Sequence, residues 1–157
     1  MDVIGQSPTN QKGEYFRNNV WWWRPLAAYC MEIAPEITAR CEYWQSNDGD
    51  GLNGRDSLAL ADALQEEIDS GRCEAYAKIR DAELSALPNE ACKTCDGTGT
   101  RKPVPECGAG DIATGIKCNG CNGSGSVRPY ACEYPFAVEN VQAFITFLRG
   151  CGGFAIH

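Results

Sequence analysis

Apolar residues recur at intervals of three and four along several stretches of this chain, and turn-forming runs of glycine, proline, asparagine and aspartate divide those stretches from one another. That spacing predicts helices that each bury one face. Residues 1–19 are polar, with Gly5, Pro8 and Gly13 among them, and read as an extended lead-in, so the core is expected to start at the apolar burst of residues 20–23. Pro25 suits a first helical position, where its missing N–H would have no partner, and Leu26, Tyr29, Cys30 and Ile33 continue the period. Pro35 restarts or kinks the helix, with Ile37, Cys41 and Trp44 again at helical spacing. The run SNDGDGLNG must be a loop, and Asp56 is the expected N-cap of a helix over residues 57–70, with Leu58, Leu60, Ala61, Leu64 and Ile68 on its face and Gly71 as its stop. A helix over residues 73–87 follows, carrying Tyr76, Ile79, Ala82 and Leu87 and closed by Pro88. The last helix is expected over residues 138–149, ended by Gly150, with a short strand in the tail FAIH.

A length of 157 residues suits one domain, and 43% hydrophobic residues with four Trp, five Phe and six Tyr can fill a core. The expectation is a mainly helical α+β domain: a lead-in at 1–19, a helical part at 20–90, a glycine-rich knuckle at 91–128, and a C-terminal helix and tail at 129–157 packing on the helical part. No stretch reaches the roughly 20 apolar residues of a membrane span, and the first residues lack an apolar signal core, so the expected compartment is the cytoplasm. Fourteen basic residues against 21 acidic ones, a formal charge of −7, disfavour a phosphate-seeking surface. Arg101, Lys102, Lys117 and Arg128 flank the knuckle and form at most a local basic rim.

Ten cysteines in a reducing compartment point to metal rather than disulfides. Two segments, CKTCDGTG and CNGCNGSG, repeat one pattern, Cys-x-x-Cys-x-Gly-x-Gly, with 22 residues between Cys95 and Cys118. Each Cys-x-x-Cys turn aims two thiolates at one point, so Cys92, Cys95, Cys118 and Cys121 make a four-sulfur set for one structural zinc ion. Four protein ligands leave no open coordination position, which argues against a catalytic metal. An iron–sulfur cluster is the chemical alternative. Gly97, Gly99, Gly120, Gly123 and Gly125 permit the tight or positive-φ backbone that turns amides toward the sulfurs. Cys107 lies between the repeats and reads as a bystander, while Cys30, Cys41, Cys73, Cys132 and Cys151 read as small core residues.

The two repeats resemble those of the cysteine-rich zinc domain of DnaJ-type co-chaperones. That resemblance covers about a quarter of the chain and implies a zinc-binding module, with client holding as the activity it would carry. The family carries four repeats for two zincs, and here there are two repeats. It also pairs them with a His-Pro-Asp tripeptide, whereas the single histidine here is His157, so chaperone stimulation is not implied. The flanking segments GEYFRNNVWWWRPL and YPFAVENVQAFITFLRGCGGF resemble bacteriophage and prophage proteins without an assigned activity, which implies a setting inside an infected bacterium.

SNDGDGLNGRDS has the spacing of a calcium loop only in part: with Gly51 at its sixth position, Ser46 and Ser57 stand where acidic ligands belong, so a solvated turn is expected. Trp21, Trp22 and Trp23 cannot all face inward, and with Arg24 they are the candidate partner-binding surface. No nucleophile–base pair can be assembled with the only histidine at position 157, so no enzyme is expected. The leading reading is a zinc-binding, non-enzymatic interaction protein of phage type that binds a host or viral protein, an inhibitor of a host defence complex being one version. The alternatives are a nucleic-acid-binding knuckle and a DnaJ-like holdase.

Overall fold

The structure, a computed structural model, describes residues 1–101 and 115–157. The architecture is α+β and mainly helical. Two compact units are present: Met1–Glu83 together with Tyr134–His157, and Leu84–Glu133.

In the first unit, strands β1 (Asp2–Gly5), β2 (Tyr15–Arg17) and β7 (Phe154–Ile156) form an antiparallel sheet in the order β2-β1-β7. Val3 lies opposite Phe16 on one side and Ile156 on the other, and these three share the inward face. Val3 and Ile156 are fully buried, and the Phe16 ring packs 5.1 Å from that of Phe144. Ile4 and Tyr15, opposite one another on the other face, are half exposed. The core therefore starts at Val3, seventeen residues or so ahead of the expected point, because strands this short show too little alternation to be read. The strand expected in the tail is present as β7.

Helix α1 (Val20–Ile33) starts at Asn19, whose Oδ1 accepts from the amides of Trp21 (3.1 Å) and Trp22 (3.2 Å). Pro25 is thus inside the helix rather than at its first position. Its missing N–H removes the one bond that would run back to the Trp21 carbonyl, a single loss in the second turn of the helix. Pro35 opens a separate short helix, α2 (Pro35–Thr38), and Trp44 reaches the core from a turn instead of a helix. There its indole stacks on that of Trp23 at 6.1 Å; Trp23 Nε1–H donates to the Trp44 carbonyl (2.7 Å) and Trp44 Nε1–H to the Thr38 carbonyl (3.0 Å). Both buried indoles are satisfied, as buried donors must be.

Helix α3 (Gly54–Asp69) is capped by Asn53, not Asp56. Asn53 Oδ1 accepts from the Asp56 amide (3.0 Å), and Asn53 Nδ2 donates back to the Asp56 carboxylate (2.7 Å), so the two exchange bonds across the first turn. Leu60, Ala61 and Leu64 are buried as expected, but Leu58 is half exposed. Helix α4 (Arg72–Ala86) buries only Cys73 and packs Tyr76 against Tyr29 (ring centroids 4.7 Å apart), leaving Ile79 61% exposed. Helix α5 (Val138–Cys151) is ended by Gly152 at φ 62°, two residues beyond the expected stop. Gly150 serves a different purpose: a Cβ on the facing Gly13 would lie 2.0 Å from the Gly150 carbonyl oxygen, so two glycines let the short 3-10 turn Gln11–Gly13 rest on the helix. No helix among the described residues is long and apolar enough to cross a membrane.

The loop before α3 is a turn rather than a cation site. Asp50 accepts from the amides of Glu42 (2.6 Å), Tyr43 (2.9 Å) and Gly51 (2.8 Å), so its carboxylate is committed to backbone. Those bonds, that of Tyr43 first, hold its pKa below the usual carboxylate range.

In the second unit, strands β3 (Glu90–Ala91) and β6 (Ser126–Val127) form one antiparallel pair, and β4 (Thr100–Arg101) and β5 (Ile116–Lys117) another. The 3-10 turn Tyr130–Glu133 follows, where the half-buried Cys132 thiol donates to the Leu84 carbonyl (3.4 Å).

Candidate metal centre

Each Cys-x-x-Cys-x-Gly-x-Gly segment folds into the same turn, and the two turns are related to each other bond for bond. The Gly97 amide donates to the Cys92 carbonyl (3.1 Å) and the Gly123 amide to the Cys118 carbonyl (3.0 Å). Thr98 Oγ1 donates to the Cys95 carbonyl (2.6 Å), as Ser124 Oγ does to that of Cys121 (2.8 Å). The Cys92 amide donates to the Gly125 carbonyl and the Cys118 amide to the Gly99 carbonyl, both at 2.9 Å, so each turn is tied to the other. A repeated sequence has produced a two-fold arrangement around one point.

The glycines divide into two kinds. Gly97, Gly99, Gly123 and Gly125 all have φ between 76° and 82°, the left-handed region that L side chains rarely enter. At Gly99 and Gly125 space is lacking as well, since a Cβ would fall 2.5 Å from the Gly123 carbonyl oxygen and 2.3 Å from that of Gly97, respectively. Gly120 differs, having no positive φ: its Cβ would meet Thr94 Oγ1 at 2.6 Å. Asp96 and Asn122, each at φ 50°, are left-handed too. The sequence signal for them was the Asp or Asn between cysteine and glycine in both repeats, since these side chains tolerate that conformation best after glycine.

At the centre lie the sulfurs of Cys92, Cys95, Cys118 and Cys121, all buried, each within 4.8 Å of the other three. The closest pairs join the two turns: Cys92 to Cys118 at 3.9 Å and Cys95 to Cys121 at 3.8 Å. The Gly99 amide points at Cys95 Sγ (3.2 Å) and the Gly125 amide at Cys121 Sγ (3.3 Å). Such N–H···S bonds offset thiolate charge. Burial pushes the Cys95 thiol up, whereas at Cys121 burial is outweighed by the Gly125 amide and the neighbouring thiols, which bring it below the usual thiol value. Four buried sulfurs at these separations, with amides turned toward two of them, can hold one metal ion.

No protein-family model, curated protein or solved structure matches this chain.

Cys107 and Lys102 lie outside the described residues. Cys30, Cys41, Cys73 and Cys151 are buried in the first unit and Cys132 is half-buried; no other metal-binding cluster occurs among the described residues. Trp23 belongs to the core and presents no surface. Trp21 and Trp22 are half-buried and Arg24 is exposed. Tyr134, which the sequence did not single out, joins them: its ring lies 5.1 Å from that of Trp21, and Arg24 sits 5.6 Å over it while donating to its hydroxyl (3.2 Å). Of the basic rim, Arg101 donates to Asn119 Oδ1 (2.9 Å), and Lys117 and Arg128 are exposed.

Proposed function

We propose that this chain is a zinc-stabilised, non-enzymatic protein-interaction module. The observation that carries the metal is the sulfur spacing. Four thiolates placed about 2.3 Å from a tetrahedral zinc stand roughly 3.8 Å from one another, and the two closest pairs here are 3.8 and 3.9 Å apart. With four cysteine ligands the coordination is closed, so the ion organises backbone instead of activating water. The test is metal content of the purified chain by mass spectrometry. One zinc per chain, lost in a Cys92→Ala variant, is the expected result; iron, or no metal in the parent chain, would overturn it.

The interaction role is supported by the surface group of Trp21, Arg24 and Tyr134, in which aromatic rings and a guanidinium are already held against one another before any partner arrives, with the half-buried Trp22 next to them in sequence. Preorganised aromatic and arginine side chains are the types that dominate binding energy at protein interfaces. The acidic net charge favours a protein partner over nucleic acid. The narrower version is capture of a host defence component by a phage protein; the resemblance of the flanking segments supports the phage setting and names no partner.

A further inference from the structure

The sheet of the first unit has two edges, and the described residues cover one of them. Along β7, the Gly49 amide donates to the Ile156 carbonyl (2.9 Å), the Phe154 amide to that of Leu52 (2.8 Å), and the Ile156 amide to that of Asp50 (2.8 Å). Residues 49–53 thus close that edge. Along β2, the bonds from Gly5 N to Glu14 O (2.9 Å) and from Asn18 N to Met1 O (3.1 Å) set which positions face β1. Positions 14, 16 and 18 turn their backbone groups inward, so the N–H and C=O of Tyr15 and Arg17 point away from the sheet. Among the described residues none hydrogen-bonds to them.

Beside this open edge runs a cleft of about 290 Å³ between β2 and α5, floored by Phe16, Ala143 and Phe147 and flanked by Lys12 and Arg17. A second hollow adjoins it, sharing Lys12 and Thr146 and adding Arg149. No carboxylate lines either one, in a chain whose acidic residues outnumber its basic ones by 21 to 14. Lys12 and Arg17 form no ion pair among the described residues, and Arg149 reaches only the exposed Asp62 at 3.4 Å.

We propose that this edge receives an extended acidic peptide segment of a protein partner, added as a fourth strand beside β2. Its backbone would bond to Tyr15 and Arg17, one set of alternate side chains would enter the apolar cleft, and its carboxylates would lie over Lys12, Arg17 and Arg149. Charge complementarity selects an acidic segment. A peptide rather than a nucleic acid fits because what the edge offers is the alternating donor and acceptor of a β ladder, and because a formal net charge of −7 disfavours a long polyanion. This surface shares no residue with the Trp21–Arg24 group and does not involve the metal, so it stands or falls separately from the reading above.

The probe is a fluorescein-labelled eight-residue peptide of alternating glutamate and valine, titrated with the metal-loaded full chain at low salt. It is expected to bind at least about tenfold more tightly than its lysine–valine counterpart, and to slow exchange of the Tyr15 and Arg17 amides in nuclear magnetic resonance spectra. Arg17→Gln, which removes the guanidinium charge and keeps the backbone N–H, should weaken binding roughly fivefold. Arg17→Pro removes the outward N–H as well and should weaken it about tenfold further. That proline follows the extended Phe16 and leaves the bonds to β1 in place, so the variant keeps its fold, checked by tryptophan emission. Equal affinity of the two variants, unchanged exchange at Tyr15 and Arg17, tighter binding of oligothymidylate than of the peptide, or pairing of two copies through β2 would each overturn the proposal.

Discussion

The unit that carries Val3, Trp23, Leu60, Phe144 and Phe154 closes around side chains that water does not reach, whereas at the centre of the unit from Leu84 to Glu133 stand four cysteine sulfurs with, among the described residues, the half-buried Val127 packed against them. The first is held by apolar burial, spread over more than twenty residues. Among its described residues the second has two strand pairs of two residues each and no comparable apolar set, so what holds these residues is a few directed bonds. Spread-out burial loses stability in increments when residues are changed. A four-ligand centre is all or none, because each sulfur is needed to complete the set.

Metal removal should separate the two most sharply. All four tryptophans belong to the first unit, so their emission reports on it alone. A strong chelator, or Cys92→Ala, is expected to abolish exchange protection of the Gly99 and Gly125 amides while tryptophan emission stays native. Structural zinc contributes about 10–16 kcal/mol of apparent binding energy in small peptides, more than a unit of this size can replace. Loss of native tryptophan emission on chelation would show that the two units do not stand on separate forces.

The reverse experiment has the next largest effect. Trp23→Ala removes a fully buried indole that stacks on Trp44 and meets Phe144 edge-on, and should cost about 3–5 kcal/mol of the first unit's stability, measured by denaturant unfolding followed at the remaining tryptophans. Metal content should be unchanged. A fall in bound metal per chain would break the comparison from the other side.

Within the metal centre, glycine substitutions sharpen the argument about directed bonds. Gly99→Ala meets both a positive φ and a carbonyl oxygen 2.5 Å from the new Cβ, and should strip metal under mild chelation. Gly97→Ala shares the positive φ but finds its nearest neighbour at 3.6 Å, so it should cost only about 1–2 kcal/mol and retain metal in the same assay. Equal loss in the two variants would mean that conformation alone, and not the close approach of the two turns, controls the site.

The contrast between the units also explains what could be read from sequence. The four sulfurs were legible because their geometry is local: Cys-x-x-Cys-x-Gly-x-Gly carries its own turn, and the repeat announces the second half. Tyr134 beside Trp21 and Arg24 was not, since that group joins positions more than a hundred residues apart through packing that no spacing encodes. Strands β1 and β2 escaped for a different reason, being too short for alternation to stand out from a polar segment. Helix faces were found where burial is strong, as at Leu60, Ala61 and Leu64, but periodicity also suggested a buried face on α4, where Ile79 is exposed. The pattern states which residues are apolar on one side and cannot state whether anything covers them.

The smallest expected effect lies in the acid limb of the first unit's stability. Asp56 is buried at the start of α3, where the Arg40 guanidinium bonds to one carboxylate oxygen and Asn53 Nδ2 to the other. The bond from Arg40 is the main reason its pKa lies below the usual carboxylate value. An unfolded aspartate takes up its proton near pH 3.9, roughly, so the folded chain favours the ionised form. The resulting stabilisation is whole above about pH 4 and is lost as pH falls through the lower folded value. The thermal midpoint, followed by tryptophan emission so that acid release of metal from the other unit does not register, should be level from pH 7 to 5 and drop below about 4. Asp56→Asn should start from a lower midpoint at pH 7 and drop less on acidification, though not by nothing, because Arg72 holds Glu67 down and the Tyr43 amide does the same for Asp50. An acid limb as steep in the variant as in the parent chain would assign the pH dependence to those other carboxylates and leave the Arg40–Asp56 pair as a capping contact without a titration of its own.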